Sequence, residues 1–215
     1  MENKKVQKTI KRLFDIFVSL IVLIVFLPVW IIIAILIKLT SPGPVFFLQD
    51  RPGLHKKIFK VYKFRTMKPG SEKMIKGQEV MLDDERITSI GKFLRRSKID
   101  EIPQLLNVLK GEMSIVGPRP ERIASLEDYT DEIAKRLDMR PGLTGLAQVS
   151  GNIYIPLEER YKFDVYYVEN FSLWLDLKII IRTIGVVLFG EDRYVDKPLV
   201  DLNKRTSATS KEASF

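Results

Sequence analysis

From Ile16 to Ile37 the chain is apolar on every face: none of these 22 residues is charged, and only Ser19 and Pro28 fall outside the apolar set. No helix with this pattern can face water on one side, and as a straight helix it would run about 33 Å, close to the roughly 30 Å hydrocarbon thickness of a bilayer. A single transmembrane span is the simplest expectation. Two features oppose it. Pro28 removes one main-chain hydrogen bond and clashes with the preceding turn, leaving arms of 12 and 9 residues. Basic residues flank both ends: Lys4, Lys5, Lys8, Lys11 and Arg12 before, and Lys38, Arg51, Lys56 and Lys57 after. Both ends therefore prefer the cytoplasmic face. A helix that enters one leaflet, bends at Pro28 and returns satisfies both observations, provided the freed main-chain groups find partners. A cleavable signal peptide is set aside, because the apolar run is too long and no small-x-small site follows at Lys38-Leu39-Thr40.

Beyond this segment the pattern changes to that of a globular body. Ser41-Pro42-Gly43-Pro44 stops the helix, and Val45–Leu48 and Ile58–Arg65 read as two strands joined through Arg51-Pro52-Gly53. Residues 68–85 are polar and read as a surface loop. Ile87, Ile90, Phe93 and Leu94 recur at helical spacing opposite Arg86, Lys92, Arg95 and Arg96, which predicts a basic amphipathic helix. A short helix is expected over 100–110, stopped by Gly111. The stretch 171–190 is nearly membrane-like, but Asp176, Lys178 and Arg182 make it an interfacial or core-packed helix. Beyond Asn203 a polar tail is expected.

Composition adds two constraints. The net charge of +8 points to a polyanionic partner: nucleic acid, anionic lipid or a phosphorylated substrate. The chain has no Cys, which excludes a disulfide framework, a cysteine zinc site and a thiol nucleophile. No catalytic Ser-His-Asp set, Walker-type loop, dinucleotide fingerprint or nucleic-acid-binding module is present.

Asp100-Glu101, followed by Ile102-Pro103 and an apolar run, has two readings. Asp100 can simply cap a helix whose first residue is Glu101. Alternatively, a carboxylate pair beside free helix-end amides can hold Mg²⁺ and a phosphate, with one carboxylate able to attack phosphorus. Arginines in stiff settings favour the second reading: Arg51-Pro52-Gly53, Gly117-Pro118-Arg119-Pro120 and Arg140-Pro141-Gly142. Arg binds phosphate in a bidentate way, and a stiff loop lowers the entropy cost of aiming it. Lys63 and Arg65 on an aromatic strand add to this signal. Asp164 sits among aromatics and can pair with a neighbouring Arg. His55, the single histidine, is a candidate general base but is better read as a solvated loop residue.

In this order these pieces resemble the bacterial sugar transferase family, the monotopic polyprenyl-phosphate phosphoglycosyl transferases. The resemblance runs from Lys11-Arg12-Leu13-Phe14-Asp15 to about Gly190. It rests on Tyr62-Lys63-Phe64-Arg65-Thr66-Met67, Asp100-Glu101-Ile102-Pro103-Gln104-Leu105, Asn107-Val108-Leu109-Lys110-Gly111, Ser114-Ile115-Val116-Gly117-Pro118-Arg119-Pro120, Arg140-Pro141-Gly142-Leu143-Thr144-Gly145 and Asp164-Val165-Tyr166-Tyr167. It implies transfer of a sugar phosphate from a UDP-sugar to undecaprenyl phosphate at the cytoplasmic face of the bacterial inner membrane, with UMP released and Mg²⁺ required. On the matching positions it implies that Asp100 attacks the β-phosphorus to form a covalent phosphosugar intermediate. Glu101 assists through the metal or by orienting substrates, and Lys63, Arg95, Arg119 and Asp164 bind phosphate or support the site. Arg65 and Arg140 are added from their motifs as phosphate contacts. Leu27 departs from the family, which often has Ser before the membrane-helix proline; a Ser hydroxyl could bond a freed carbonyl, and Leu cannot.

The expected fold is mainly α with a short β-hairpin: a re-entrant membrane helix (1–40), a cytoplasmic catalytic domain (41–195) carrying interfacial helices, and a polar tail (196–215). Expected partners are a UDP-sugar, undecaprenyl phosphate and anionic phospholipids, without nucleic acid; a homo-oligomer is admitted but not specified. Two rival readings stand beside this one: a ternary-complex reaction with no covalent enzyme, and a non-catalytic bitopic adaptor that recruits anionic lipid or nucleic acid.

Overall fold

The computed structural model describes residues 2–71 and 84–202. The expected tail beyond Asn203, and most of the polar loop at 68–85, lie outside these residues. Helix α1 spans Glu2–Val25 and α2 spans Leu27–Thr40. They meet at Phe26 with a bend of 64°, and no single helix among the described residues is long and apolar enough to cross a membrane. Pro28 falls in the first turn of α2, where its missing N–H costs least. The bend forms without a serine hydroxyl: Phe26 N donates to Val22 O on one side, and Phe26 O accepts from Trp30 N on the other.

Helix α1 begins against the body. The polar first half of α1 is tied to distant segments: Lys11 Nζ donates to Asp176 Oδ2 at 2.7 Å, and Asp15 accepts from the Ser114 hydroxyl at 2.7 Å and from Ile115 N at 3.0 Å. Arg12 donates to the carbonyls of Val108 (2.5 Å) and Leu109 (2.9 Å). Further along α1 one face stays on the body, with Ser19 buried and Val22 and Leu23 packed against the cluster of Phe59, Val61 and Leu105, while Leu13, Phe17, Ile24 and Val25 are exposed. From α2, Ile33 and Ile37 are buried with Phe64 and Leu94.

Strands β1 (Phe46–Pro52) and β2 (Ile58–Phe64) form the expected antiparallel hairpin. Its turn begins later than expected, because Arg51 and Pro52 pair with Phe59 and Ile58. The chain reverses instead through Gly53–Lys57, with His55 and Lys56 in the left-handed region. Helix α3 (Ser89–Arg96) is capped by Thr88, whose hydroxyl accepts from Gly91 N at 3.0 Å, so Arg86 and Ile87 precede the helix. The helix expected over 100–110 is divided. Ile99–Gln104 is a 3₁₀ turn entered through Lys98 in the left-handed conformation, and α4 is Leu105–Lys110, ended by Gly111 at φ 82°. Asp100 is therefore not a helix cap: it lies within the tighter turn.

A second, unforeseen sheet joins β3 (Ser114–Val116) and β4 (Gly142–Thr144) in parallel. Gly117 and Gly142 allow this contact, since a Cβ on Gly117 would strike the Arg140 carbonyl and one on Gly142 the Gly117 nitrogen. Between these strands lies the short α5 (Asp131–Ala134). Then α6 (Leu157–Glu169) and α7 (Leu173–Phe189) close the main core, in which Phe163, Tyr167, Leu175 and Ile179 pack on Val116, Leu146 and Val149. On α7, Asp176 is buried, whereas Trp174, Ile181, Ile184 and Leu188 are exposed.

Candidate active site

The Asp100-Glu101 pair sits where β2, the 3₁₀ turn and the loop after β3 converge. Asn107 sets the relation between the first two. It is fully buried, and its side chain accepts from Tyr62 N (3.1 Å) and donates to Lys60 O (2.7 Å), so α4 is bonded to the β2 main chain. One residue beyond Tyr62, Lys63 Nζ meets Glu101 Oε1 at 2.7 Å. The loop from β3 brings Arg119, whose Nη2 meets the same oxygen at 3.1 Å and whose Nη1 lies 3.5 Å from Oε2. Parallel pairing holds that loop in place: Gly117 N donates to Thr144 O and Gly142 N to Pro118 O, both at 2.9 Å.

These contacts separate the two acids. Burial works to raise the Glu101 pKa, but the charges and hydrogen bonds of Arg119 and Lys63 outweigh it and hold this carboxyl well below the ordinary range. Asp100 is buried as well, and no side chain or amide among the described residues hydrogen-bonds its carboxylate. Burial first, and then the negative charge of Glu101, push Asp100 up to about 6, against the pull of Lys63 and Arg95. Arg95 is lowered by burial but partly restored by Asp100, and its Nε donates to Thr66 Oγ1 at 2.9 Å. Burial and the neighbouring Arg119 bring Arg51 down to about 10, which leaves it charged at neutral pH. A bound, charged Glu101 thus stands beside an unengaged Asp100, within a field of Lys63, Arg95, Arg119 and Arg51.

Other expected site residues do different work. Arg65 is turned to the end of α2, where its guanidinium donates to the carbonyls of Pro42 (2.5 Å), Ser41 (2.7 Å) and Ile37 (3.3 Å). Arg140 Nε donates to Gly111 O at 2.8 Å, beside Arg12 at the end of α4. Both are helix C-terminal caps, placed where carbonyls and the helix dipole attract a cation. Asp164 is buried and paired with Arg136, and burial lifts it to about 6 despite the Arg136 charge. His55 lies in the hairpin turn, at the opposite end of β2 from Lys63, exposed and 3.9 Å from Asp138. Arg136 escapes sequence reading because Lys135-Arg136 resembles a solvated surface; only its burial reveals it.

A bound Mg²⁺ is typically held by one or two carboxylates together with substrate oxygens. The unengaged lone pairs of Asp100 fit that role, and Glu101 can join them only by giving up part of its hold on Lys63 and Arg119.

The model of the family described as "Bacterial sugar transferase" matches residues 6–190. The chain belongs to the bacterial sugar transferase family. The matched stretch takes in every contact of the acid pair described above, and Lys11, Arg12 and Asp15 of α1 as well. The chain is 44% identical over 182 residues to "Uncharacterized sugar transferase EpsL" of Bacillus subtilis (strain 168), covering 85% of this chain and 89% of that protein. It is 43% identical over 188 residues to UDP-N-acetylgalactosamine-undecaprenyl-phosphate N-acetylgalactosaminephosphotransferase of Aeromonas hydrophila, covering 84% and 44%. It is 42% identical over 194 residues to UDP-glucose:undecaprenyl-phosphate glucose-1-phosphate transferase of Klebsiella pneumoniae, covering 86% and 41%. The chain therefore spans nearly all of the first relative but less than half the length of the other two.

Proposed function

We propose that this chain transfers a sugar phosphate from a UDP-sugar to undecaprenyl phosphate and starts the assembly of a membrane-linked glycan. The observation that carries this reading is the buried Asp100, whose carboxylate takes no hydrogen bond among the described residues, beside a Glu101 that is gripped by Lys63 and Arg119. Phosphoryl transfer needs a positioned nucleophile and neutralised phosphate charge, and this cluster offers both. The relatives' names support the acceptor, while the two different sugars they name leave the donor sugar open.

In the proposed first step, an Asp100 carboxylate oxygen bonds to the β-phosphorus as the bond from that phosphorus to the bridging oxygen breaks. UMP leaves with the bridging oxygen, and an aspartyl phosphosugar remains. An oxygen of undecaprenyl phosphate then attacks the same phosphorus, releasing Asp100 and forming the lipid diphosphate sugar. Lys63, Arg95, Arg119 and Arg51 draw the anionic groups together, and Glu101 holds Lys63 and Arg119 in register. Asp100, joined by Glu101 if it gave up part of its hold on Lys63 and Arg119, would hold Mg²⁺, which would supply further charge neutralisation.

The same reading includes a re-entrant anchor in a bacterial cytoplasmic membrane with the site on the cytoplasmic face. Both arms of the apolar segment return to one body, since Lys11, Arg12 and Asp15 bind it on one side and β1 joins it on the other. Exposed Phe93 on α3 and Trp174, Ile181 and Leu188 on α7 suit contact with anionic lipid. Single cysteines replacing Asn3 and Lys57, both exposed, are expected to react from one face of sealed vesicles; labelling from opposite faces rejects re-entry.

A panel of UDP-sugars with undecaprenyl phosphate, assayed for UMP using the full chain in nanodiscs, tests the activity. A β-phosphate-labelled donor supplied without acceptor is expected to label the protein. Unlabelled protein, with activity surviving Asp100→Asn, favours a ternary complex; no UMP from any donor favours the adaptor.

A further inference from the structure

Arg136 is only 2% exposed. Its guanidinium pairs with the Asp164 carboxylate, donates to the Tyr129 hydroxyl, and donates through Nη2 to the Arg119 main-chain carbonyl at 2.7 Å. It also lies over the Tyr161 and Tyr129 rings, 4.7 Å and 5.5 Å from their centroids. Arg119 stands between Pro118 and Pro120, neither of which has an N–H to fix the loop. The Arg136 bond is thus made to the residue whose own side chain must be aimed at Glu101.

This pair is not built as a simple stabiliser. Arg136 Nε and Asp164 Oδ1 are buried without hydrogen-bond partners among the described residues, and burying an incompletely satisfied ion pair gains little stability. What the arrangement supplies is geometry. A carboxylate and a carbonyl are both acceptors, and the planar guanidinium fork bridges them in fixed directions, as a single ammonium cannot.

We propose that Arg136, oriented by Asp164, is a positioning residue: it fixes the main chain at Arg119 so that the Arg119 guanidinium meets Glu101. Asp164 then acts through Arg136 without touching substrate. The kinetic consequence rests on the proposed transferase reading; the structural one does not.

The test uses the full chain, labelled with ¹⁵N-arginine, in nanodiscs. The Arg119 Nη resonances, assigned by their loss in Arg119→Lys, are expected to be resolved in the parent, because its contacts with Glu101 hinder rotation. In Arg136→Lys they are expected to merge. Unchanged Arg119 signals in the folded variant overturn the proposal. If Arg136→Lys does not fold, Asp164→Asn takes its place, with the same expectation and the same overturning result. With a donor found by the UMP panel, Arg136→Lys is expected to lower kcat about 10- to 100-fold, since a small misplacement of a reacting group has effects of that size. The double variant Arg136→Lys/Arg119→Ala is expected to be no slower than Arg119→Ala alone. Losses that multiply show that Arg136 does not act through Arg119. If no donor gives UMP, the transferase reading falls and the NMR result still decides the proposal.

Discussion

Asp100 and Glu101 are adjacent in the chain, yet Glu101 is ion-paired at 2.7 Å and 3.1 Å with Lys63 and Arg119 while the Asp100 carboxylate receives no hydrogen bond from the described residues. One acid is spent on holding the site together. The other is left charged at neutral pH, buried and available, a state that costs folding energy and suits a nucleophile.

That cost has a sign. Burial raises Asp100 from 3.8 to about 6, so the folded state is penalised when this group ionises. The penalty is absent below about pH 4, grows as pH rises through about 6, and is complete above; a difference of this size corresponds to about 3 kcal/mol. Metal-free Asp100→Asn is therefore expected to melt higher than the parent at pH 7.5 and to lose that advantage at pH 4, by scanning fluorimetry. Added Mg²⁺ is expected to raise the melting temperature of the parent and not of the variant. Equal melting curves at pH 7.5 would show that the Asp100 charge is not strained.

Lys63 on β2 and Arg65 just beyond its end are two residues apart and should fail differently. Arg65→Ala strips the donors from three carbonyls at the end of α2, which is expected to cost about 2–4 kcal/mol while KM for the donor stays within a factor of two in the folded enzyme. Lys63→Ala is expected to lower turnover more than tenfold with a small change in melting temperature. A large rise in KM with Arg65→Ala would return that residue to the phosphate site.

Lys11 ties α1 to the core. Among the described residues, Lys11→Met leaves the Asp176 carboxylate buried with only the Tyr167 hydroxyl, at 2.7 Å, as a polar partner. The expected loss is about 3–5 kcal/mol, the usual consequence of removing one side of a buried ion pair. Lys11→Met/Asp176→Asn should recover part of it. Thermal melts of the three proteins decide, and additive losses would show that the pair is uncoupled.

Two glycines separate steric from conformational cost. Gly117→Ala would push a methyl group into the Arg140 carbonyl and part the strands that place Arg119, so about 2 kcal/mol or more and most activity are expected to be lost. At Gly70 an added Cβ would meet nothing within 4 Å among the described residues, but the residue sits at φ 81°, so Gly70→Ala should cost only about 1 kcal/mol with activity retained. The order is checked by melting temperature and UMP release, and a Gly117→Ala protein as stable as Gly70→Ala contradicts the close approach.

Much of this could be read along the chain. The unbroken apolar run with a central proline marked a helix and its break, because apolar character and proline chemistry are local properties. Alternating aromatics placed the hairpin, and the order of the Asp-Glu and Arg-Pro motifs marked the family. Linear reasoning could not assign work to the arginines. Arg65, Arg119, Arg136 and Arg140 are chemically alike, and which of them faces a carboxylate and which a helix carbonyl depends on segments far apart in sequence. Asp100 and Glu101 were likewise visible as a pair, but not their division of labour. That division follows from the fold: β2 and the β3 loop bring Lys63 and Arg119 into hydrogen bonds with Glu101, and burial takes Asp100 out of water without a hydrogen-bond partner for its carboxylate among the described residues.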